Sequence, residues 1–261
     1  MADNRGAGGA SYDPAWFAPL AAVEDRHFWF RARNRVIRAL AGGLTAGLAP
    51  GYWILEVGCG TGSLLPVLAE ACPGGVVVGA DLFGESLTFA RRRARCPVVA
   101  ADIGSLPFRP GFALIGLFDV LEHLEDDVAV LGSLRRLLAP EGALLLTVPA
   151  HPSLWSYFDE AARHRRRYEA GELEQKLARA GYRIEYLTPF MSSIFPLLWL
   201  GRRLAPRLGR RSASELVHQE LRVTPVLNEL LGWMLAPEAA FIARRRRLPV
   251  GTSLAAVARP A

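Results

Sequence analysis

Lysine is almost absent from this 261-residue chain: Lys176 stands alone, so arginine carries nearly all of the 31 basic residues behind the net charge of +6. The arginines cluster at 91–95, 163–167, 202–211 and 244–247. Such patches suit nucleic acid, acidic lipid headgroups, a phosphorylated substrate or simply water. Cysteine is scarce too. Cys59, Cys72 and Cys96 show neither a zinc spacing nor an even disulfide framework, which predicts no metal, no disulfide and a reducing cytoplasm. Long apolar runs are also lacking. The strongest candidate, residues 190–200, contains two serines and a proline and falls short of the roughly 20 residues that span a bilayer. Residues 1–10 have no apolar core of the kind a secretory signal needs.

What remains is a chain with 51% hydrophobic residues, enough for one sizeable α/β domain with additions. Aromatic and apolar residues among charges over 14–40, including Phe28, Trp29, Phe30, Val36 and Ile37, predict one or two helices before the core. Short apolar runs at 52–57, 76–80, 98–101, 114–118 and 143–148 then alternate with helical stretches at 62–71, 85–95, 126–138 and 170–180. That alternation predicts a parallel sheet covered by helices on both faces. Two further strand-like runs, 182–188 and 252–257, flank a mostly helical stretch; if they pair, that stretch projects from a sheet edge. The expected organisation is a helical lid at 1–49, a core at 50–189 and 248–261, and an insertion at 190–247.

Trp53-Ile54-Leu55 runs into Glu56 and then Gly58-Cys59-Gly60-Thr61-Gly62, a strand, a tight turn and a helix. Glycine belongs there because the backbone turns sharply and approaches a ligand that a Cβ would obstruct. Ser63 stands where the dinucleotide pattern Gly-x-Gly-x-x-Gly needs its third glycine, which argues against a nicotinamide cofactor. Strand ends then bring Asp81, Asp102 and Asp119 to the edge where open α/β sheets bind ligands. Each aspartate has a plain alternative use as a helix N-cap.

Together, Ile54 through Gly62, Gly79-Ala80-Asp81, Ala101-Asp102-Ile103 and Phe118-Asp119-Val120-Leu121-Glu122-His123 resemble the class I, or Rossmann-like, S-adenosylmethionine-dependent methyltransferases. The nearest group is the small-molecule enzymes akin to ubiquinone-biosynthesis methyltransferases. The resemblance implies a seven-stranded, mostly parallel sheet with an N-terminal helical lid and a helical insertion between the last two strands. It also assigns Glu56, Gly58, Cys59, Gly60 and Gly62 to the methionine moiety, Asp81 and Leu82 to the ribose region, and Asp102 and Ile103 to adenine. Asp119, Val120 and His123 fall beside the sulfonium. His27 through Arg33 is similar to the opening segment of a bacterial subgroup often associated with glycan or lipid-linked biosynthesis, in which Trp29 would cover the cofactor and Arg33 would reach its carboxylate.

Methyl transfer is an in-line displacement at an activated carbon, so orientation and exclusion of water supply much of the rate. A hydroxyl or acidic carbon acceptor would be helped by a histidine base. The candidates are His123, His151 and His164. Asp159, His164, Arg166, Arg167 and Tyr168 resemble the subgroup's Asp then His-x-Arg-Arg-Tyr pattern, which adds Tyr168 to the catalytic candidates; Arg163 replaces the usual glycine before the histidine. The expected acceptor is a natural product, a glycan or a lipid-linked intermediate, methylated on oxygen or carbon. The apolar and arginine-rich stretch 190–211 is a candidate for peripheral membrane contact or a homodimer interface. DNA is not expected, because no Asn/Asp-Pro-Pro-aromatic turn follows strand four; RNA-directed, non-catalytic and oxidoreductase readings are the alternatives.

Overall fold

The computed structural model describes residues 12–204 and 221–261. Seven strands form one sheet in the order β3-β2-β1-β4-β5-β7-β6. Their ranges are β1 Tyr52–Val57, β2 Gly75–Asp81, β3 Val98–Ala100, β4 Phe112–Phe118, β5 Leu138–Pro149, β6 Tyr182–Phe190 and β7 Ser253–Pro260. Strands β1 to β5 are parallel where they pair, while β7 runs antiparallel to both neighbours. The expected mostly parallel, seven-stranded sheet is therefore present. β5 starts earlier than its apolar run suggests, because Phe112 pairs with Leu138 and Leu114 with Ala143, leaving the intervening residues in a bulge.

Side chains alternate between the faces at the two-residue period of a strand. Ile54, Val77, Leu114 and Leu145 join one buried cluster; Leu55, Val78, Ile115 and Leu144 join the other. The first face is covered by α2 (Phe28–Thr45), α3 (Leu65–Ala71) and α4 (Gly84–Arg93), the second by α5 (Asp127–Leu137) and α7 (Ala170–Arg179). α3 begins later than the sequence predicts because Gly62, at φ +78°, still belongs to the turn and donates its N–H to Cys59 O. A Cβ there would lie 2.7 Å from the Ala90 backbone of α4.

Before the sheet come α1 (Phe17–Val23) and α2, whose buried Phe30, Arg33, Ile37, Leu40 and Ala41 follow helical spacing. After β6 come α8 (Phe195–Leu204) and α9 (Pro225–Ala243). These do not project from the sheet edge: α9 lies along α2, bolted by Asn228, whose Oδ1 accepts from the Phe28 N–H at 2.7 Å and whose Nδ2 donates to Arg26 O at 3.0 Å. At 19 residues, α9 is also long and apolar enough to cross a membrane, a longer candidate than 190–200. The tail of the 190–211 segment, from 205 onward, lies outside the described residues.

Candidate functional site

β1 has β2 on one side and β4 on the other, so the chain direction across the sheet reverses there and the loops at the strand ends splay apart. A cavity of about 1230 Å³ opens at this point. Its wall includes Trp29, Arg33, Glu56, Gly58, Cys59, Gly60, Asp81, Leu82, Asp102, Ile103, Asp119, Val120, His123 and His164. Gly62 and Tyr168 are not part of it. Gly62 serves close packing on α4, and Tyr168 is fully buried, its hydroxyl donating to Asp127 Oδ2 at 3.0 Å and Leu121 O at 3.2 Å. Tyr168 is corrected from a catalytic candidate to a strut between the loops after β4 and β5. His151 also lies off the wall, with Nδ1 3.4 Å from Glu169.

The glycine-rich turn is braced by Asp81, whose Oδ2 accepts from Gly60 N–H at 2.8 Å and whose Oδ1 accepts from Phe83 N–H and Ser86 Oγ, each at 2.9 Å. Gly58 sits at φ +73°, and a Cβ on it would approach Val120 Cγ2 to 2.4 Å, so the turn and the loop after β4 fit only with glycine. Asp102 caps a short 3-10 turn through the Gly104 N–H at 2.8 Å, the plain role foreseen for such aspartates. Cys59 is no nucleophile: burial, aided by Glu56 and Asp81, pushes its thiol far up and keeps it neutral. Glu56 is 2% exposed with Oε2 lacking a hydrogen-bond partner.

Arg33 is 6% exposed and donates to Asp119 Oδ2 at 2.8 Å, while its guanidinium lies 5.2 Å from the Trp29 ring. Asp119 adopts φ +53°, a left-handed conformation that aspartate tolerates, and also accepts from Thr147 Oγ1 at 3.1 Å. The segment before α2 carries groups the sequence reading missed. Glu24, at the end of α1, accepts from Thr61 Oγ1 in the glycine-rich turn and from Arg93 at 2.8 Å. Tyr12 sets its ring 5.2 Å from Phe17 and 5.7 Å, edge-on, from His123. No local pattern marks these residues, because Thr61 and Arg93 lie 37 and 69 positions from Glu24, and His123 lies 111 from Tyr12.

At the other end of the wall, His164 Nδ1 lies 2.9 Å from Asp159 Oδ1. Asp159 is fully buried, and the same carboxylate accepts from Arg167 Nε at 2.7 Å and Ser156 N–H at 2.9 Å. Burial alone would raise its pKa, but the His164 and Arg167 contacts outweigh it and hold the carboxyl down at about 2. An ionised carboxylate only accepts, so Nδ1 is the nitrogen of His164 that donates to Asp159. Nε2 lies 3.8 Å from Glu122 Oε1, and the His123 ring is 4.8 Å from that of His164. Glu122 is fully buried; burial and the nearby Asp119 charge push its carboxyl well above the usual range.

The residues around His164 act as a bracket. Arg166 and Lys176 reach Asp127 at 3.1 and 2.5 Å, and Arg167 donates to Ala150 O at 3.1 Å. Arg163 adopts φ +56°, so the turn before His164 forms with an arginine in a left-handed conformation. An L-residue pays about 1–2 kcal/mol for that conformation, and the Asp13 pair at 3.5 Å is too exposed to offset it. Arg163→Gly should therefore raise stability by about 0.5–1 kcal/mol after allowing for the freer unfolded chain. Urea unfolding reads this; a loss of stability would show that the Arg163 contacts matter more than the backbone.

A family model described as a methyltransferase domain matches residues 25–187. The chain belongs to this methyltransferase-domain family. The match runs from just after α1 into β6 and so takes in the ends of β1 to β5 that line the cavity, while the start of β7 lies beyond it. A probable S-adenosylmethionine-dependent methyltransferase of Mycolicibacterium smegmatis is 28% identical over 64% of this chain and 63% of its own length. A ubiquinone biosynthesis O-methyltransferase of Actinobacillus pleuropneumoniae is 28% identical over 51% of this chain and 58% of its own. The chain thus spans less than two thirds of either relative. Among solved structures, the Haemonchus contortus phosphoethanolamine N-methyltransferase 2 with S-adenosyl-L-methionine superposes with a TM-score of 0.61. It is 18% identical, with 97% of this chain and 59% of that one covered, a likeness of fold.

Proposed function

We propose that this methyltransferase domain uses S-adenosylmethionine to methylate a hydroxyl or acidic carbon of a small-molecule or lipid-linked acceptor. The observation that carries the reading is His164, held from behind by the buried Asp159, on the same cavity wall as the glycine-rich turn. The cradle fits the cofactor's shape and charge: Gly58 tolerates no Cβ, Asp81 and Asp102 offer carboxylates, and Glu56 holds an unsatisfied buried oxygen. Gly58, Cys59 and Gly60 would present backbone to the methionine moiety, Asp81 and Leu82 would face the ribose, and Asp102 with Ile103 the adenine. Val120, Asp119 and His123 would border the sulfur. Arg33, already paired with Asp119, would orient that carboxylate rather than stand free for the cofactor's own.

When bound, the cofactor supplies a methyl carbon activated by positive sulfur. His164 Nε2 would take the acceptor's proton as the sulfur–methyl bond gives way to the acceptor–methyl bond, leaving S-adenosylhomocysteine, and Asp159 would stabilise the resulting imidazolium. The lid residues Trp29 and Tyr12 exclude water from this centre.

Calorimetry with S-adenosylmethionine, S-adenosylhomocysteine and NAD tests the cofactor, and binding of the sulfur ligands alone is expected. Failure of both sulfur ligands to bind would sink the reading. His164→Ala should keep S-adenosylhomocysteine affinity and lose about 10²–10⁴-fold in kcat; undiminished turnover would remove the base. Glu122, His123 and His164 bring ligand atoms within 4.8 Å of one another, so a strict divalent-cation requirement, revealed by chelation, would replace the base with metal ligation.

A further inference from the structure

α9 is apolar on the side that should meet water. Its inward stripe, Asn228, Gly232, Leu235, Glu238 and Ile242, is buried at helical spacing. Two polar bolts lie on that stripe. Asn228 holds the start of α2, and Glu238 Oε1 accepts from Ser193 N–H at 2.9 Å and Ser193 Oγ at 2.8 Å, just before α8. These contacts fasten α9 to the body of the protein, so it is a surface helix and not a free span.

The outward stripe repeats every three to four residues: Val226, Leu230, Trp233, Pro237 and Ala240 are all exposed. Val226 is 83% and Trp233 77% exposed, with Leu227 and Leu230 above half. A surface helix in water normally turns charged residues outward, and a single exposed leucine would mean nothing, but an apolar stripe four turns long has to meet something apolar. The acid on this stretch of α9's exposed surface, Glu229, is tied to Arg31 at 2.6 Å. Both ends of the stripe are basic. Exposed Arg222 precedes α9, and Arg244, Arg245, Arg246 and Arg247, all exposed, follow it.

We propose that the outward face of α9 docks on an anionic lipid bilayer, with the helix lying in the headgroup plane. A helix of this length reaches about 28 Å, so its apolar stripe enters the acyl boundary while the arginines at both ends meet phosphates. The charge pattern argues against a second copy as occupant: pairing α9 with itself, parallel or antiparallel, sets a basic end against a basic end. α9 rests on α2, which carries Trp29 and Arg33, so docking places the cavity wall beside the bilayer. This inference stands apart from the methyl-transfer reading.

The test is co-sedimentation of the full chain with vesicles of phosphatidylcholine alone or enriched in phosphatidylglycerol, at low and high salt. Binding should be at least roughly tenfold stronger to the anionic vesicles and weaken with salt. The double variant Leu230→Glu, Trp233→Glu should lose about 100-fold, and Arg244→Gln with Arg247→Gln roughly tenfold. All should keep the wild-type Tm. The proposal is overturned by absence of binding at low salt, by equal binding to neutral vesicles, or by indifference to the glutamates. It is equally overturned if sedimentation shows a dimer that Trp233→Glu splits and no vesicle binding. S-adenosylhomocysteine affinity, measured alongside, reports on the cofactor reading separately.

Discussion

Asp159→Ala is expected to cost about 3–5 kcal/mol of stability, the largest effect of any single cavity-wall support, because it strands a buried cation. Arg167 is 6% exposed and gives its Nε–H to Asp159 at 2.7 Å; without that oxygen the guanidinium keeps only the Ala150 carbonyl. The same truncation removes the partner of the Ser156 N–H in the capping box of α6 (Tyr157–Ala161), and it frees His164 Nδ1. Asp159→Asn separates charge from shape, since the amide keeps an acceptor for Arg167 but no negative charge, and its loss should be smaller. The pH dependence follows from the depressed carboxyl. A folded value of about 2 lies below the ordinary 3.8, so the carboxylate's contribution is present above pH 4 and disappears as pH falls through 2. Urea unfolding from pH 7 to pH 2 should show this acid loss in the wild type and a smaller one in Asp159→Asn, where the depressed carboxyl of Asp127 remains. A loss below 1 kcal/mol for the alanine variant would mean that Arg167 finds water or another acceptor.

That Asp159, His164, Arg166, Arg167 and Tyr168 belong together was legible from their resemblance to a subgroup pattern, but the division of labour was not. A motif read along the chain marks which residues belong together, whereas only packing decides which of them reaches the cavity. Tyr168 and Arg166 face Asp127, while Arg167 and His164, both bound to Asp159, line the cavity, and His164 turns its ring to the other histidine on the wall. The strand ends were legible for a firmer reason. A buried parallel strand is a short apolar run, and the first polar residue after it marks the edge, so Asp81 and Asp119 could be placed from hydrophobicity alone. Glu24 shows the opposite case. It caps the C-terminal end of the seven-residue α1, and its meaning depends on Thr61 and Arg93, whose closeness to it is created by the fold. α9 escaped notice as a surface element for a related reason. Its apolar residues look like a core helix until the buried Asn228 and Glu238 show which face points inward.

Glu56 gives the second large effect, and its sign is opposite to that of Asp159. Burial drives its carboxyl from 4.5 up to about 8; Arg33 opposes the shift, and the Asp81 and Glu24 charges add to it. The folded state therefore holds a proton that the unfolded state releases. Stability is full below pH 4.5 and falls as pH rises toward 8, by up to about 1.4 kcal/mol per unit, a few kcal/mol in all. Glu56→Gln keeps the shape and cannot ionise, so its unfolding free energy should vary much less over this window and exceed that of the wild type at pH 8. Glu122, raised in the same direction, remains in the variant, so a shallower slope is expected and not a flat one. An unchanged slope would show that water reaches Glu56 and that its charge is tolerated. The same proton bears on the cofactor reading. A ligand that carries positive charge into this end of the cavity favours the ionised carboxylate, so S-adenosylmethionine should expel a fraction of a proton from the wild type near pH 7. Calorimetry in buffers of different ionisation enthalpy measures that release. Glu56→Gln should abolish most of it; release of the same size from both proteins would place the titrating group elsewhere.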